Sequence, residues 1–145
     1  MTNVPAFHLG WFSDPDNEAQ LKRLTWEVDS LAERTDVGEP EFVQLLSIFE
    51  RFPNDDGYES FWSIVHTLEA CPGYEPHLIK SIERTPAELS LTMVNRLLNA
   101  GVSEVSGLSL IALLEVVASS STVDRPAAKA AQGFLSYQAQ RGRVA

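Results

Sequence analysis

The chain has 145 residues, 44% of them hydrophobic and 21% charged, which fits one globular domain with a core of its own. Its net charge of −9 argues against a nucleic-acid binder, because phosphate contacts need Lys and Arg. A single cysteine, Cys71, excludes an internal disulfide, no apolar stretch reaches the length of a membrane span, and the N-terminus lacks the basic start and apolar run of a signal peptide. The expectation is a soluble, cytoplasmic protein with no membrane partner.

In chain order, residues 1–13 read as an irregular arm whose aromatics, Phe7, Trp11 and Phe12, dock on the first helices. Asp14 or Asp16 is placed to cap a helix on which Leu21, Leu24, Val28 and Leu31 form an apolar stripe, ending near Thr35. Glu39-Pro40-Glu41 opens a second helix, with Phe42, Leu45, Leu46 and Phe49 inward, and Pro53 stops it. Asn54 to Gly57 is a turn by composition, and Asp55 or Asp56 is placed to cap a third helix from about Gly57 to Ala70. Phe61, Ile64, Val65 and Leu68 face its core side, while Tyr58, Trp62, His66 and Glu69 form a neighbouring stripe.

Pro72-Gly73 breaks that helix, and a short one follows from Glu75 to Glu83. Thr85-Pro86-Ala87-Glu88 has the form of a capping box and opens a helix that Gly101 ends. Ser103 or Ser106 starts a helix apolar on most sides, which places it near the centre of the fold. Asp124-Arg125-Pro126 begins a last, alanine-rich helix that buries Phe134 and Leu135, with Gln140 to Ala145 as a frayed tail. The prediction is therefore an all-α fold, about seven helices with no convincing strand, joined as antiparallel hairpins in a HEAT-like stack or a compact irregular bundle.

No catalytic spacing emerges. His66 and Glu69 give one His-x-x-Glu in place of the paired Glu-x-x-His of di-iron bundles, and no His-Glu-x-x-His occurs. Asn54-Asp55-Asp56-Gly57 lacks the alternating ligands and closing glutamate of a calcium loop. Cys71 sits at a helix C-terminus, where the dipole disfavours a thiolate, and the glycines are scattered singly. No metal, cofactor or enzymatic role is assigned. A small metal-dependent enzyme using His66, Glu69 and nearby acids is the rival class, and a helical adaptor in a larger assembly a third.

What stands out is charge. Residues 1–75 hold 15 acids and 4 bases, a net of −11, whereas residues 76–145 hold 5 acids and 7 bases, a net of +2. An acidic surface can serve solubility alone, but a one-sided negative field also steers a basic partner. Tyr58, Trp62 and Tyr74 are residue types enriched at interface hot spots, and they are interleaved with Asp55, Asp56, Glu59 and Glu75. These residues, with His66, are the candidate partner-binding set. Whether Trp62 and Tyr74 are exposed or belong to the core stays open at this level.

The short words Gly57-Tyr58-Glu59, Phe61-Trp62, His66, Pro72-Gly73-Tyr74 and Asn95-Arg96-Leu97-Leu98-Asn99, within about residues 53–101, resemble a pattern of small bacterial immunity proteins from polymorphic and contact-dependent toxin systems. The resemblance implies a non-enzymatic, mainly helical, cytoplasmic antitoxin that binds and neutralises one cognate toxin. Many such toxins are nucleases with basic clefts, which an acidic inhibitor complements.

Overall fold

Helix ends in this chain are set by a few capping groups, several of them not the ones the sequence singles out. In the computed structural model, which describes residues 7–143, Asn17 rather than Asp14 or Asp16 caps α1 (Glu18–Asp29), its side-chain oxygen accepting the Gln20 amide at 3.0 Å. Asp14 instead accepts the amide of Asp16, closing a turn before the helix. A short 3-10 helix, Ser30–Glu33, continues α1 to the expected end. Helix α2 (Glu39–Arg51) starts where Pro40 permits, with the Glu41 carboxylate accepting the Gly38 amide at 2.7 Å.

Helix α3 (Trp62–Glu69) begins well after Gly57. Helix α4 (Glu75–Arg84) follows the Pro72-Gly73 break. Thr85 does not cap the next helix. Its amide closes α4 on the Ser81 carbonyl at 2.8 Å, and α5 (Glu88–Asn99) starts at Ala87, where the Ser90 hydroxyl bonds the Ala87 backbone. The helix expected from Ser103 or Ser106 is preceded by a minimal hairpin, β1 (Glu104–Val105) and β2 (Leu108–Ser109), turned by Ser106-Gly107. Ser109 then caps α6 (Leu110–Ser119). Helix α7 (Arg125–Arg143) stays helical through Gln140 to Arg143, where fraying is expected; the rest of that tail and residues 1–6 of the arm lie outside the described residues.

The fold is thus compact and mostly helical, with seven α-helices among the described residues. One core joins all of them. Pairing is not a simple succession of hairpins: α1 packs on α3 and α2 on α4, while α2 also meets α3 and α5, and α7 covers α5 and α6. Helix α6 lies at the edge rather than the centre, since Ala112, Glu115, Val116 and Ser119 face outward. Among the described residues no helix is long and apolar enough to cross a membrane.

The N-terminal arm is part of this core. Leu9 and Phe12 are fully buried, and Phe12 meets Phe52 and Phe61 edge-on at 5.5 and 5.9 Å. Arg51 donates to the carbonyls of Phe12 (2.6 Å) and Leu9 (2.8 Å), and Gln44 accepts the Leu9 amide. Two ion pairs link helices across the core's rim: Glu50 of α2 takes both Arg84 and the Ser81 hydroxyl of α4, and Glu69 of α3 takes Arg96 of α5.

Candidate partner-binding surface

The segment between α2 and α3 is held by its own acids. Asp55 accepts the Gly57 amide at 2.7 Å and Asp56 that of Tyr58 at 3.1 Å, so both carboxylates close local turns instead of capping a helix. Gly57, Tyr58 and Glu59 then take φ of 56, 51 and 74°, three successive left-handed residues. That run is why α3 starts only at Trp62. Gly57 has no alternative, because a Cβ there would stand 2.6 Å from the Phe61 ring and 3.1 Å from the Leu21 side chain. Tyr58 and Glu59 hold a conformation that costs a side-chain-bearing residue about 1 kcal/mol or more. The strained backbone turns Tyr58 outward, leaving it 73% exposed.

Across from it stands Trp26 of α1, also 73% exposed. Leu21, Leu24 and Val28 point into the core, and Trp26 falls on the opposite side of that helix. Because α1 packs on α3, the two aromatics line one open cleft of about 710 Å3 with Asp16, Leu21, Asp29 and Ser60. A smaller recess of about 390 Å3 shares Asp16 and Tyr58 and adds Asp55, Asp56 and Glu88. Among the described residues none of Asp16, Asp29, Asp55, Asp56 and Glu88 has an ion-pair partner. Lys22 and Glu18 line the cleft as well, but they pair with each other at 3.2 Å.

The structure divides the sequence-predicted set. Asp55, Asp56 and Tyr58 belong to this surface, and Glu59 is exposed on the same left-handed turn. Trp62 is half-buried against the core, with the His66 ring 6.0 Å away and the Arg96 guanidinium 5.9 Å above it. Arg96 also grips both oxygens of Glu69 at 2.7 and 2.8 Å, so this second cluster is already satisfied. The hydrogen bond to Glu69 holds the Arg96 pKa above its ordinary value. His66 is exposed and lines a separate cavity with Cys71 beside the 3-10 helix.

Tyr74 leaves the set. It is 6% exposed and joins the core, so it has no free face to offer a partner. Burial, helped by the nearby Glu69 and Glu75 charges, pushes its hydroxyl pKa up to about 12. Glu75 opens α4 half-buried beside it. Trp26, Asp16 and Asp29 were missing from the sequence-predicted set. The signal for Trp26 is a large aromatic on the polar side of an otherwise regular amphipathic helix.

Among the described residues no group of three or more His, Cys, Asp or Glu side chains is arranged to hold a metal. No protein-family model, curated protein or solved structure matches the chain.

Proposed function

We propose that the chain is an immunity-type binding protein that neutralises a basic toxin domain by docking its acidic face on it. The observation that carries this reading is the pairing of two aromatics, each 73% exposed, with carboxylates that no base of the chain neutralises among the described residues. Large exposed aromatics cost solvation, and unpaired carboxylates repel one another, so both gain from a cationic partner. The net charge of −11 over residues 1–75 extends the same field beyond the cleft and favours fast encounter. Neutralisation follows when the docked face covers the toxin's cationic substrate surface or the ground beside it.

The test is genetic and then physical. In the source genome, the C-terminal domain encoded by the gene just upstream is expressed alone and together with this chain. The expected result is growth arrest by the domain alone, rescue by co-expression, and a stoichiometric complex on size exclusion. A toxic neighbour that this chain neither binds nor rescues contradicts the proposal.

A further inference from the structure

Each of the other two tryptophans of this chain has an arginine of its own. Arg23 lies 4.0 Å over the Trp11 ring while its Nε pairs with Glu27 at 2.6 Å. Arg96 lies 5.9 Å over Trp62 while it grips Glu69. The fold thus builds the same unit twice: an aromatic face, a guanidinium above it, and a carboxylate that orients the guanidinium. Around Trp26 two of the three parts are present. Trp26 and Tyr58 supply aromatic faces, and Asp16 and Asp29 supply carboxylates lining the same cleft. The guanidinium is missing. Arginine stacks on aromatic rings and bonds carboxylates through its planar fork, which is why it suits this gap better than an ammonium. Lys22, the base that does line the cleft, is a single-point cation engaged with Glu18.

We infer that the Trp26–Tyr58 cleft is the receptacle for an arginine side chain of the basic protein partner. The inference rests on the proposed reading of this face as a partner-binding surface and adds which partner group it recognises. The guanidinium enters between α1 and the left-handed turn, stacks on Trp26 or Tyr58, and takes Asp16 or Asp29 as its counter-ion. The strain at Tyr58 and Glu59 then has a use, since the left-handed run is what turns Tyr58 toward the cleft.

The test uses the three indole N–H signals as built-in reporters. The 15N-labelled chain is titrated with a capped Gly-Arg-Gly peptide at low salt, and with the same peptide carrying citrulline, the neutral isostere, or lysine. The expected result is a saturable shift of the Trp26 indole with the arginine peptide, while the Trp11 and Trp62 indoles, already covered, stay in place. Binding should weaken about tenfold or more with citrulline, as expected when both a cation–π contact and an ion pair are lost. Asp29→Asn, which leaves the packing untouched, and Tyr58→Ala should each weaken it too. Equal shifts from the citrulline or lysine peptides, or equal movement of all three indoles, overturn the assignment. The two proposals fail separately. A toxin that binds Trp26→Ala as tightly as the parent chain overturns the receptacle and leaves the antitoxin reading. A cleft that takes arginine in a chain that recognises no toxin does the reverse.

Discussion

The word Gly-Tyr-Glu occurs twice in this chain, and its two copies have opposite fates. Both glycines are left-handed, with φ of 56° at Gly57 and 90° at Gly73. After Gly73 the backbone returns at once to φ −75° at Tyr74, which leads directly into α4 and buries its ring. After Gly57 the left-handed conformation continues through Tyr58 and Glu59, and the ring stands in solvent. The acids around the two rings differ in the same way. Among the described residues Glu69, near Tyr74, receives Arg96 from α5, although Glu75 has no ion pair; near Tyr58, Asp16, Asp29, Asp55 and Asp56 all lack a base. Identical local words are therefore decided by what the rest of the fold brings to them. In the C-terminal copy the ring is buried and the neighbouring Glu69 is paired, whereas in the N-terminal copy the ring stands in solvent beside carboxylates that have no ion pair among the described residues.

That contrast can be broken at several points. The largest effect is expected at Gly57, where Gly57→Ala combines a left-handed alanine with a methyl pressed into Phe61. It should cost about 3 kcal/mol in urea denaturation, with the loop lost from its place over the core. The same change at Gly73, where nothing lies within 4 Å, meets only the backbone penalty and should cost about 1 kcal/mol.

Alkaline pH probes the buried tyrosine next. The Tyr74 hydroxyl, at about 12 in the folded chain against an ordinary 10.0, keeps its proton better folded than unfolded. Its contribution is fully present below pH 10 and is lost as pH climbs through about 12, a change on the order of 2 kcal/mol. Denaturation midpoints across that range should fall for the parent chain and fall less for Tyr74→Phe. Trp62→Ala should then cost about 2 kcal/mol with no partner present, because the ring packs on the core and under Arg96. Arg96→Ala should cost about 1 kcal/mol, the size of a partly exposed ion pair plus a cation–π contact.

Much of the fold was legible in the sequence. The apolar stripes of α1, α2 and α4, the stop at Pro53 and the end of α5 before Gly101 follow from local periodicity and breakers. The N-terminal aromatics read as docking residues, and Phe12 is fully buried. What local rules missed was decided at a distance. Thr85 lost its capping role because its amide closes α4, while the Glu88 amide is taken by the carbonyl of Pro53. Helix α6 reads as central because its residues are apolar on most sides, yet at the edge of the fold Val116 is left 66% exposed. The candidate surface was half legible. Asp55, Asp56, Tyr58 and Glu59 lie in one stretch whose composition marks it. Their neighbours come from α1 (Trp26 and Asp29) and from the turn just before it (Asp16), and only tertiary packing brings them there. Tyr74 carries the same local signal as Tyr58, and only tertiary contact sends it inside.

The measurement that bears most directly on the account is the affinity of the proposed toxin partner for two variants side by side, each with its own denaturation curve. Trp26→Ala should leave stability within about 0.5 kcal/mol of the parent, as a side chain 73% exposed permits, and lose tenfold or more in affinity. Arg96→Ala should show the reverse, a lower midpoint with affinity nearly unchanged. Parent-like affinity in Trp26→Ala, or a loss in Arg96→Ala that exceeds it, would contradict the assignment of the Trp26–Tyr58 cleft to the partner and the closed cluster to the fold.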